Sequence, residues 1–122
     1  MITAQLGAIL AGSGVVFGAF GTHALSETLS IERLETYETA VRYQMYHGLA
    51  LLAIATFGSK VVWAVWFLFG GTLLFSGSLY LLILTDREWL GMITPVGGVL
   101  QLIGWIFFIL RVRTSIKVRR IS

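Results

Sequence analysis

The side chains that could do chemistry in this chain are few: two histidines, His23 and His47, with Arg42, Tyr43, Gln44, Ser76 and Ser78. A pair of imidazoles can ligate zinc or haem iron, and a serine placed against a histidine begins a nucleophilic triad. Neither chemistry is complete here. A closed zinc site wants four ligands, and only scattered carboxylates such as Glu27 could supply the rest. The chain has no cysteine, which removes disulfides, thiolate metal sites, iron–sulfur clusters and cysteine nucleophiles. No acid stands clearly within reach of a histidine beside Ser76 or Ser78. We therefore expect no catalytic residue, no metal, no cofactor and no enzymatic activity.

These residues need elements to hold them, and the composition says what solvent those elements meet. The 122 residues are 57% hydrophobic and 12% charged, with a mean hydropathy of +0.85. A soluble domain this short must cover a large surface with polar groups, and here there are too few. The apolar residues fall in long runs, at residues 2–22, 39–57, 61–84 and 92–110, each near the ~20 residues that a ~30 Å hydrocarbon layer requires. Backbone amides in lipid must pair within their own segment, so runs of this length that do not alternate polar with apolar read as helices. The expected fold is all-α: a polytopic membrane protein forming one antiparallel four-helix transmembrane bundle. The N-terminus lacks a basic lead, so no cleavable signal peptide is expected.

Charge orients the bundle. With four spans, the N-terminus, the Gly58-Ser59-Lys60 hairpin and the tail at residues 111–122 share one side. That side carries Lys60, Arg111, Arg113, Lys117, Arg119 and Arg120 and no acid. The other side carries Arg33, Arg42 and Arg87 with all six acids: Glu27, Glu32, Glu35, Glu38, Asp86 and Glu88. The excess of Lys and Arg places both termini in the cytoplasm and the protein in the inner or plasma membrane. A net charge of +3 concentrated beside the last span is explained by anionic headgroups, so nucleic acid is not an expected partner.

Within the spans, small residues mark contact faces. Ala4, Gly7, Ala11, Gly14, Gly18 and Gly21 recur at spacings of three and four, which aligns them along one helix face. Small residues in lipid let backbones approach and gain dispersion contacts, so span one is expected to be the central or most buried helix. Gly70 and Gly77, then Gly91, Gly97, Gly98 and Gly104, repeat at sevens in spans three and four and read as further packing surfaces. Residues 30–38 form an amphipathic lead-in to span two, with Ser30 as N-cap and Glu38 four residues before Arg42, close enough to pair. Thr94-Pro95 reads as the start of span four. The polar residues all fall in the extracytoplasmic half: Thr22 and His23; Arg42, Tyr43, Gln44, Tyr46 and His47; Ser76, Ser78 and Tyr80; Thr94 and Gln101. Ionisable groups in a span are costly and default to a functional reading, but Arg42 and His47 lie near enough to the interface to snorkel. The expectation is a structural network that fixes helix register, with a ligand, lipid or ion site as the alternative.

Several stretches are familiar together. Gly18-Ala19-Phe20-Gly21-Thr22-His23-Ala24-Leu25, Tyr43-Gln44-Met45-Tyr46-His47, Phe75-Ser76-Gly77-Ser78-Leu79-Tyr80 and Thr94-Pro95-Val96-Gly97-Gly98 resemble, in order and across nearly the whole chain, the YgdD/YwdK family. That is a domain-of-unknown-function family of small four-span membrane proteins. The resemblance implies a four-helix inner-membrane protein and brings with it no activity, substrate, cofactor or functional residue. The expected role is therefore non-enzymatic: a binding, accessory or lipid-interacting bundle whose partners are membrane lipids and a homo-oligomer or larger membrane complex. A small homo-oligomeric transporter or channel, with His23, Arg42, Gln44 and His47 around a polar cavity, is the alternative.

Overall fold

The computed structural model describes residues 2–121, with side chains through residue 113. Lys117, Arg119 and Arg120 of the basic tail lie outside the described side chains. The regular structure is helical: α1 (Ile2–Phe20), α2 (Ile31–Ile54), α3 (Val62–Thr85) and α4 (Thr94–Ile121).

Counted as unbroken helical backbone, three runs are long and apolar enough to cross a membrane, Ile2–Leu25, Ile31–Thr85 and Glu88–Arg113. That is one fewer than the four expected. The reason is local. The middle run carries α2 into α3 through a 3-10 turn, Ala55–Val61, whose helical hydrogen bonding continues past Gly58 although that residue leaves the helical region at φ 69, ψ −148. A side chain would be strained at this φ, which is why glycine stands there. The two halves of the run lie against each other, and Ser76 in α3 donates to the Ala40 carbonyl in α2 at 2.7 Å. The segment is thus folded back on itself.

Each helix end has a physical cause. Ser30 sits in extended backbone and its hydroxyl accepts from the Arg33 N–H at 3.2 Å, capping α2. Before it, α1 loosens into a π-helical turn over Gly21–Leu25, where the Ser26 N–H reaches the Gly21 carbonyl at 3.0 Å. Asp86 ends α3 in the left-handed region, φ 57. Arg33 clamps that end, donating to the Ile83 carbonyl at 2.7 Å and to Asp86 Oδ1 at 2.5 Å. A guanidinium is well placed at a helix C-terminus, where unpaired carbonyls gather. Pro95 occupies the first turn of α4, where its missing N–H costs nothing.

In the assembled fold α2 and α3 form the middle, with α1 packed on α2 and α4 packed on α3. This corrects the expectation for α1. Only Gly7, Leu10 and Gly14 of that helix are buried, because its small residues serve one face against one neighbour, leaving the rest of its surface outward. The apolar core gathers around the α2–α3 turn and consists of Leu10, Leu51, Ile54, Val61, Ala64, Val65 and Leu68. The exterior is also apolar: Ile9, Val16, Leu73, Leu102 and Ile109 are each more than half exposed. In water this would be untenable, and against lipid tails it is the natural surface.

Candidate functional site

The α2 face that turns inward carries Tyr37, Ala40, Gln44, His47, Gly48 and Leu51, at spacings that keep them on one side of the helix. Three of these six are polar or amphipathic, and they organise the interior. Gln44 is 4% exposed. Its Nε2 donates to the Leu10 carbonyl at 2.9 Å and to Ser13 Oγ at 2.7 Å. Its Oε1 accepts from the Tyr80 hydroxyl at 2.7 Å. One side chain thereby ties α1, α2 and α3 together. Tyr37 extends the same layer, donating to the Phe17 carbonyl at 2.5 Å and laying its ring 5.4 Å from that of Tyr80, which in turn lies 5.0 Å from Phe17.

Towards α4 a second set of bonds runs through His47. The Trp105 indole Nε1 lies 3.1 Å from His47 Nε2. An indole nitrogen can only donate, so Nε2 accepts and the ring proton sits on Nδ1, which donates to the Tyr43 carbonyl at 2.9 Å. Both ring nitrogens of this neutral imidazole are engaged. Gln101 Nε2 donates to Thr72 Oγ1 at 3.2 Å, and Thr72 donates onward to the Leu68 carbonyl at 2.7 Å. Ser78 lies 2.5 Å from the Thr94 hydroxyl, joining α3 to the start of α4. Among the described residues, every buried side-chain nitrogen and oxygen has a hydrogen-bond partner. A groove of about 220 Å³ opens between α1 and α3, with Gln44 as its floor and Ser13, Thr72, Ser76, Gly77 and Tyr80 along its sides.

The polar residues singled out in the sequence therefore divide. Gln44, His47, Ser76 and Ser78 are buried in the network. His23 is exposed on the π-helical turn, and Arg42 and Tyr43 are exposed on α2. The two histidines are not brought together: one lies exposed within the π-helical turn, the other is spent on Trp105 and Tyr43. Arg42 instead borders a shallow cleft of about 320 Å³ with Glu38, Thr22, Gly18 and Gly21. It makes no ion pair with Glu38, since among the described residues the one salt bridge is Arg33–Asp86. Tyr43 sets its ring 4.6 Å from Phe75. Ser13, Tyr37, Thr72 and Trp105 escaped the sequence reading. The signal available for Trp105 was its position in the middle of an apolar run, where an indole N–H needs a buried acceptor.

The glycines divide in the same way. A methyl group on Gly7 would sit 2.7 Å from the Gly48 carbonyl oxygen, and one on Gly48 would sit 3.0 Å from that of Gly7. Gly71 and Gly97 repeat this reciprocal contact between α3 and α4, at 2.8 and 2.7 Å. Gly14 lies under Met45 and Gly21 under Tyr37, while Gly18 has Val41 at ordinary contact distance. Gly77 meets open space and Gly98 has only a loose contact with the Phe75 ring, so neither closes an interface in this fold.

Residues 17–98 match the family described as "Protein of unknown function (DUF423)". The chain belongs to the DUF423 family. It is 51% identical over 109 residues to a UPF0382 membrane protein of Staphylococcus aureus strain bovine RF122 / ET3-1, covering 86% of this chain and 89% of that protein. A UPF0382 membrane protein of Staphylococcus saprophyticus is 49% identical over 109 residues, covering 86% of this chain and 91% of the relative. No solved structure matches. This DUF423 chain is thus a membrane protein built of apolar helices, in a family whose specific function is unknown.

Proposed function

We propose that this DUF423 protein crosses the plasma membrane four times with both termini in the cytoplasm, and acts there without catalysis, as an accessory bundle that binds a larger membrane protein. The observation that carries the reading is the closure of the polar network. Gln44, His47, Ser76, Ser78 and Gln101 are spent on holding helices together. A nucleophile or general base needs an unspent lone pair aimed at a space a substrate can enter. The doubling back at Gly58 supports four crossings, since 55 residues of straight helix would far exceed the thickness of a bilayer. The groove between α1 and α3 offers an incoming helix both apolar walls and hydroxyls, at a depth where small residues such as Gly77 permit close approach.

The transporter reading draws less support. It needed His23, Arg42, Gln44 and His47 around one cavity, and two of these face outward while the other two are buried among protein partners. Crosslinking in native membranes followed by purification in mild detergent tests the accessory role. A larger membrane protein is expected to co-purify, and its capture should fall when Gly77 is replaced by leucine to fill the groove. Recovery of monomer or homo-oligomer alone would sink it.

A further inference from the structure

At the opposite end from Arg42, the 3-10 turn between α2 and α3 and the start of α3 meet residues 107–111 of α4 around a cleft of about 390 Å³. Its rim carries two cations, Lys60 and Arg111, and its walls are Trp63, Phe67 and Phe107. We propose that this cleft binds one anionic phospholipid, with the phosphodiester between Lys60 and Arg111 and an acyl chain along the aromatic wall.

Three observations converge on that occupant. The first is uncompensated charge. Among the described residues the only salt bridge is Arg33–Asp86, and all six acids lie in residues 27–38 and 86–88, in the other connections and the N-terminal part of α2. Nothing described in the protein neutralises Lys60 and Arg111, and a phosphodiester does. The guanidinium offers a planar fork to two phosphate oxygens, while the ammonium acts as a compact point charge. The second is position. Lys60 sits in the turn that ends one apolar run, and Arg111 directly follows the last apolar residues of another, which sets both heads at phosphate level with aromatic side chains below. The third is shape. Phe67 and Phe107 meet at 5.3 Å with their rings tilted by 55°, and Trp63 is 64% exposed beside them, so a hydrocarbon chain entering the cleft replaces lipid contact with ring contact. Phosphatidylcholine carries its own cation next to the phosphate and fits this rim poorly. Phosphatidylglycerol carries none.

The inference rests on the membrane setting and not on the accessory role, so the two fail separately. Trp63 supplies the readout. The full-length protein is placed in vesicles containing either phosphatidylglycerol or phosphatidylcholine with brominated acyl chains, at equal mole fraction, and tryptophan quenching is followed. Brominated phosphatidylglycerol is expected to quench with an apparent preference on the order of tenfold. Trp63→Phe should remove the difference. The pair Lys60→Gln with Arg111→Gln should also remove it, whereas Lys60→Arg with Arg111→Lys, which keeps both charges, should retain it. Arg119→Gln with Arg120→Gln, eight and nine residues further along the sequence than Arg111, should retain it as well. Equal quenching by the two lipids in the unaltered protein overturns the proposal, as does a preference that survives neutralisation of Lys60 and Arg111 or vanishes with the tail pair alone.

Discussion

Gln44 spends both amide hydrogens and its carbonyl oxygen across three helices. Its replacement by leucine keeps the volume and deletes the bonds. The Leu10 carbonyl retains the helical hydrogen bond of its own helix, and the Tyr80 hydroxyl is left facing the groove, so the cost is the bonds themselves and not a stranded charge. Interhelical hydrogen bonds in membranes are worth ~0.6 kcal/mol on average and up to ~1.7 kcal/mol each. Gln44→Leu is therefore expected to lower stability by about 1–2 kcal/mol in reversible unfolding from mixed micelles. Tyr80→Phe should cost measurably alone and almost nothing on top of Gln44→Leu, because the two share one bond. Additive losses would mean that Tyr80 is held by something else. At this scale the sequence was half legible. Polar residues inside apolar runs signal interior bonding, and Gln44, Ser76 and Gln101 obey that rule. His23 and Arg42 do not, because a residue within two turns of a span's end has water or headgroups as an alternative partner, and periodicity does not say which it takes.

Helix faces set the next scale. Gly97 and Gly98 are neighbours in sequence, but about 100° of helical turn separates them. A methyl on Gly97 would press on the Gly71 carbonyl oxygen at 2.7 Å, a backbone atom that cannot swing aside; on Gly98 it would rest 3.8 Å from the Phe75 ring. Gly97→Ala is expected to destabilise by about 1–3 kcal/mol, the usual range for overpacking. Gly98→Ala should be neutral or slightly stabilising through the better helix propensity of alanine. Thermal unfolding in detergent checks both, and the reverse ranking would contradict the α3–α4 register described here. A seven-residue repeat marks a seam but leaves its facing open by one residue: Gly70 and Gly77 carry the repeat and meet open space, whereas Gly71, with no glycine seven residues away, closes on Gly97. In α2, Ile31 and Leu49 sit on an apolar stripe and are exposed, while Tyr37, Gln44 and His47 turn inward. Ala40, Leu51 and Ile54 turn inward with them, while Glu32, Glu35, Glu38 and Arg42 are exposed, so polar and apolar side chains share both faces, as a helix with lipid outside permits.

At the scale of the whole molecule, the absence of cysteine makes orientation directly measurable. A single thiol at Thr28→Cys, in the connection between α1 and α2, should react with a membrane-impermeant maleimide on intact cells. Ser59→Cys, in the turn between α2 and α3, should react only after permeabilisation. The opposite pattern would invert the topology, and labelling of both from outside would refute a spanning Ile31–Thr85 hairpin. Composition and run length made the membrane setting plain, because the ratio of apolar to charged residues leaves no other solvent. Which helices occupy the middle was not legible. Small residues on α1 promised burial, but one narrow face serves a single partner as well as it would serve several.

The turn at Gly58 divides the chain into two helical hairpins, each closed by its own mutual glycine contact, Gly7 with Gly48 and Gly71 with Gly97. Because each clasp joins consecutive helices, the first pair can seal as soon as it has been synthesised, before the second exists. What remains for the finished chain is a single docking step, in which Arg33, Ser76, Tyr80 and Trp105 make cross-links between pre-assembled halves.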